Sequence, residues 1–140
     1  MKIRKFDIFL SMLILVVVIA LLLTLRKINI VQFIAVSMLL SVLWCWLSAH
    51  LLVHITFRYK IIKILMLIFP SLMFVFLFYG IFWQYIPMDI IENNSHFGPS
   101  ESVVFNSDIN LGTYLANLVQ QLVITTVLYI IMKYVKKLKH

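Results

Sequence analysis

Five acidic residues, three glycines, three prolines and one cysteine in 140 positions leave this chain short of the usual parts of a soluble enzyme. With so few glycines no phosphate-cradling loop can be assembled, and no GxSxG, HExxH or CxxC pattern occurs. The lone Cys45 has no internal disulfide partner and lies in an apolar run without a neighbouring base, so neither a redox framework nor a thiol nucleophile is expected. Charged residues reach only 12%, against about 25% in soluble domains. The net charge of +7 therefore has no solvated surface to sit on, which excludes nucleic-acid binding.

What fills the chain is apolar: 64% hydrophobic residues and a mean hydropathy of +1.06, where soluble domains hold about 45–50% apolar residues. The fold class expected is all-α, a polytopic integral membrane protein. A bilayer core of about 30 Å needs about 20 apolar residues per helix, and four such stretches fit, at about 6–25, 30–57, 64–86 and 111–132. Residues 1–140 are read as one four-helix membrane domain, with the lipid bilayer as the first partner.

The apolar run from Ile8 to Leu25 exceeds the roughly 7–15 residues of a signal sequence, and Thr24-Leu25-Arg26-Lys27 stands where small residues would be needed for cleavage. It is read as the first span, with Asp7 at the exposed edge of its first turn, where free backbone amides favour an acid. The short Arg26–Asn29 connection forces an antiparallel hairpin. The second span is the centre of the scheme; at about 42 Å it outruns the hydrocarbon and is expected to tilt. The third is aromatic, with Phe74, Phe78 and Phe82 in one ridge and Tyr79, Trp83 and Tyr85 at its interfacial end; Pro70 is expected to bend it. The Phe74, Phe76, Phe78 alternation cannot be a strand, because an open sheet edge goes unsatisfied in lipid.

Pro87 to Asn110 alone has soluble character. It carries Asp89, Glu92, Glu101 and Asp108 and no Lys or Arg, and is read as an irregular outer loop free to meet a partner, with Ser107 or Asp108 capping the fourth helix. Orientation follows from the basic residues. Ten lie at the two ends and in the Arg58–Lys63 turn, and only Arg26 and Lys27 lie on the other side, so both termini are expected in the cytoplasm and the acidic loop outside. The Lys, Ile and Asn bias points to the cytoplasmic membrane of a low-GC bacterium, where the Asn93-Asn94-Ser95 sequon has no meaning.

Two polar features remain. His50 and His54, at i and i+4, point the same way and are two candidate metal ligands. A metal needs three or four ligands, so a metal site requires a dimer interface, and haem ligands must lie on opposite faces, so a haem requires a second chain or an unusual single-ligand site. The leading reading has no cofactor: His50 hydrogen-bonds a neighbouring helix and His54 reaches the headgroups. On the fourth helix Thr113, Asn117, Gln121 and Thr125 form a ridge at steps of four, with Gln120 beside it, expected to pack on the small-residue ridge Ser37, Ser41, Cys45.

The length and helix count resemble those of the small four-helix multidrug exporters. That family exchanges protons for cations on a membrane carboxylate, and here no acid is expected within a span. The function expected is non-catalytic: an accessory, regulatory or immunity-type subunit acting through helix packing and its outer loop, partnered by another membrane protein or a second copy. The alternative is a small transporter or redox carrier using His50, His54 and the polar ridge.

Overall fold

The computed structural model describes residues 5–54, 59–95 and 110–138, and all regular structure among them is helical. The elements are α1 (Lys5–Thr24), α2 (Ile30–His54), α3 (Lys60–Val75) continued by a π-helical segment (Phe76–Ile81) and a 3-10 turn (Phe82–Tyr85), the short α4 (Met88–Asn93), and α5 (Leu111–Leu138). Four stretches are long and apolar enough to cross a membrane: Lys5–Thr24, Ile30–His54, Ile61–Tyr85 and Leu111–Leu138.

Helix α2 lies against each of α1, α3 and α5, and α3 also packs on α5. A buried cluster lies at one end, where Leu21 of α1 and Leu25 of the following turn meet Ile30, Phe33 and Leu40 of α2, together with Phe78, Ile86 and Ile91. Much of the remaining apolar surface is outside: Leu23 is 77% and Ile61 72% exposed. Burying one such side chain is worth about 1.5–3 kcal/mol, so a water-soluble chain would forfeit that gain dozens of times over, whereas hydrocarbon supplies it.

Several boundaries differ from expectation for local reasons. Helix α2 starts where Asn29 forms a reciprocal cap: its Oδ1 accepts from the Gln32 amide at 2.9 Å, and its own amide donates to Gln32 Oε1 at 3.1 Å. Residues 55–57, expected to end the second span, lie outside the described residues. Helix α3 runs through Pro70, and the departure from α-helical bonding comes later, at Phe76–Ile81. The Pro70 carbonyl accepts from Trp44 Nε1 at 2.8 Å, which ties α3 to α2 at the proline.

Helix α5 continues past residue 132 to Leu138. Its cap is Asn110, whose Oδ1 accepts from the Thr113 amide at 2.9 Å; Ser107 and Asp108 lie outside the described residues. The segment read as an irregular loop begins with structure. Ile86 and the fully buried Ile91 of α4 enter the core. Beyond them, Asn94 Nδ2 donates to the Arg26 carbonyl at 3.1 Å, and Ser95 Oγ accepts from the Ile30 amide at 2.8 Å. The start of the acidic loop is thus fastened to the α1–α2 turn.

Candidate functional site

The first polar cluster joins α2 to α5. Gln121 is 3% exposed; its Nε2 donates to Ser41 Oγ and its Oε1 accepts from the Cys45 thiol. Thr125, also buried, stands beside the same sulfur. Four predicted packing residues, Ser41, Cys45, Gln121 and Thr125, therefore meet at one level. Ser37 instead donates to the Phe33 carbonyl of its own helix at 2.8 Å, the ordinary way for a serine to satisfy itself inside a helix.

The other half of the α5 ridge turns to α3. Tyr79 Oη donates to Asn117 Oδ1 at 2.8 Å, and Asn117 Nδ2 donates to the Thr113 carbonyl at 2.8 Å. Tyr114 Oη closes the group on the Tyr79 carbonyl at 3.3 Å. Tyr79, expected in an interfacial belt, thus faces inward from the π-helical segment, whose wider turn resets which residues look at α5. Thr113 is held at the helix start by Asn110. Between α2, α3 and α5 lies a cavity of about 400 Å³ with Ser37, Ser41, Tyr79, Asn117 and Gln121 in its wall. Gln120, an exposed residue, also lines it. A second cavity, of about 250 Å³ between α1, α2 and α3, is lined by apolar side chains and Trp44.

The third cluster corrects the expectation for Asp7. It is buried, 6% exposed, and its Oδ1 lies 2.6 Å from His50 Nδ1. With the carboxylate ionised, the ring nitrogen is the donor. An acid therefore does lie inside a helix long enough to span, which removes the ground on which a membrane carboxylate was excluded. The His50 ring also stands 4.7 Å from both the Phe6 and the His54 rings, centre to centre. His54 Nδ1 in turn lies 3.5 Å from Lys136 Nζ, which donates to the Val53 carbonyl at 3.2 Å. Asp7, His50, His54 and Lys136 thus run in file across the ends of α1, α2 and α5.

As metal ligands, the two histidines reach no sufficient set: among the described residues no three His, Cys, Asp or Glu side chains converge on a point that could hold an ion. One nitrogen of His50 is engaged by Asp7, and a lysine ammonium beside His54 opposes a second cation. The metal or haem alternative still requires a second chain. Of the acidic loop residues, Asp89 is exposed on α4 and Glu92 lies on the same helix. Glu101 and Asp108 fall outside the described residues.

Sequence reasoning missed the Asp7–His50 pair, although a signal for it existed. In an antiparallel hairpin, residues equally far from the turn lie level, and Asp7 and His50 are nearly equidistant from Ile28. Compared with known proteins, the chain matches no family model, no curated protein and no solved structure.

Proposed function

We propose that this chain is a small, non-catalytic, multi-pass membrane protein that works as an accessory, regulatory or immunity-type subunit, with its lysine-rich ends in the cytoplasm and the Asp89-bearing segment outside. One observation carries the reading: the buried or half-buried Gln121, Asn117 and His50 of the long helices are spent on other segments of the same chain. Gln121 holds Ser41 and Cys45, Asn117 holds Tyr79, and His50 holds Asp7. Polar groups used in this way fix helix positions rather than present chemistry to a substrate. The placement of the Arg26–Lys27 turn beside the start of the acidic loop supports the orientation, because both then share the side poorer in basic residues.

A second reading, a small transporter or redox carrier, is favoured by the Asp7–His50–His54 file and by the partly polar cavity, since ionisable groups within spans often mark ion pathways. The two readings part under mutation. A packing subunit keeps its co-purifying partner in His50→Ala/His54→Ala, with some loss of abundance from the broken Asp7 contact, and loses both partner and abundance in Ser41→Leu, which drives a bulky side chain into the Gln121 contact. A carrier keeps its partner but loses transport in the histidine variant. Metal analysis and a visible spectrum of wild type beside the histidine variant complete the test: the packing reading expects both to be colourless and metal-free, and a stoichiometric signal lost in the variant would overturn it.

A further inference from the structure

The cavity of about 400 Å³ between α2, α3 and α5 falls within the range of small-molecule sites, about 300–1,000 Å³. Of its wall residues, Ile34, Met38 and Val42 on α2 and Gln120 on α5 are exposed, whereas Phe78, Tyr79 and Trp83 of the third span are buried or half-buried. The space therefore has an aromatic back and opens sideways between α2 and α5. No charged side chain lines it. Two hydrogen-bonding groups of the wall are also left over. Asn117 and Gln121 are committed to Tyr79 and to Ser41 and Cys45, but neither the Gln120 amide nor the Trp83 indole N–H has a hydrogen-bond partner among the described residues.

We propose that this cavity binds an uncharged, lipid-soluble ring compound bearing carbonyl groups, a molecule of the quinone class. The proposal rests on the reading of α2, α3 and α5 as membrane spans. Three features select the class. The sideways mouth then faces hydrocarbon, so the ligand must itself dissolve in the bilayer. The uncharged wall offers an ion nothing in exchange for its hydration shell. Tyr79 and Trp83, with ring centres 5.9 Å apart, give a flat ring an aromatic surface, while carbonyl oxygens accept from the N–H groups of Gln120 and Trp83. A phospholipid tail could fill the volume but would satisfy neither donor. Gln120 lies nine residues beyond Leu111, about 14 Å along the helix and roughly half the depth of a hydrocarbon core, far from the ester carbonyls of the headgroup region.

Binding is read with decyl-benzoquinone, through quenching of Trp83 in phosphatidylcholine/phosphatidylglycerol vesicles, in a Trp44→Phe/Trp46→Phe background that leaves Trp83 as the sole tryptophan. Quenching should saturate as the quinone content of the membrane rises, and decanol in large excess should not relieve it. Because the fold does not use Gln120, Gln120→Leu should keep its helices yet raise the half-saturating quinone content about tenfold. Gln120→Asn should raise it less, and Leu115→Ala, on the exposed face of α5 outside the cavity wall, should leave it unchanged. In the unaltered chain the same quinone should raise the thermal unfolding midpoint, and Gln120→Leu should remove most of that rise. Quenching that grows without saturation and equally in Gln120→Leu, relief by decanol, or an unmoved midpoint in the unaltered chain would overturn the site while leaving the membrane reading intact. Protein stripped from the vesicles by alkaline carbonate would overturn the membrane reading itself.

Discussion

At the scale of the residue, the Asp7–His50 contact has the clearest energetic consequence. Both side chains are largely withdrawn from solvent, so deleting the imidazole leaves a carboxylate in a site built around a ring donor. His50→Ala should lower unfolding free energy in detergent micelles by about 2 kcal/mol, and Asp7→Ala/His50→Ala should cost less than the sum of the two single changes. Additive losses would mean that the two side chains are neighbours without coupling. Ser71 presents the opposite case. It is 1% exposed, and its hydroxyl has no hydrogen-bond partner among the described residues. Ser71→Ala should therefore be neutral or stabilising, by up to about 1 kcal/mol in the same unfolding measurement. A clear loss would reveal a hydrogen bond to this hydroxyl.

At the scale of the element, Gln121 binds α2 to α5 through two groups at once. Gln121→Leu keeps the volume but removes both hydrogen bonds, and should cost about 1–2 kcal/mol of helix association, read as a lower unfolding midpoint. An unchanged midpoint would reduce the cluster to incidental contact. Four apolar spans were legible because length and hydropathy alone identify a helix that lipid can solvate. The Ser41–Cys45–Gln121 seam was partly legible because steps of four put residues on one face whatever the partner. The π-helical segment was not: nothing in Phe76–Ile81 announces a widened turn, and that turn carries Tyr79 inward to Asn117. The docking of Ile91, Asn94 and Ser95 was missed for a related reason. Asn and Ser read as loop residues until a specific backbone is there to receive them, here Arg26 and Ile30.

At the scale of the whole molecule, the proposed orientation joins charge asymmetry to the fastening of the 86–95 segment to the α1–α2 turn: one basic cytoplasmic face and an acidic outer cap. Under that proposal the Asp7–His50–His54–Lys136 file would lie toward the cytoplasmic side and the Tyr79–Asn117 group toward the outer side. Single cysteines placed in a Cys45→Ser background at Lys5, Lys27, Tyr59, Asp89 and Lys136, challenged in intact cells with a membrane-impermeant maleimide, test this most directly. Labelling from outside at positions 27 and 89, with positions 5, 59 and 136 reacting only after the membrane is opened, is the expected pattern. Outside labelling at 5, 59 or 136, or equal labelling at all five positions before opening, would contradict the four-span scheme and the functional reading built on it.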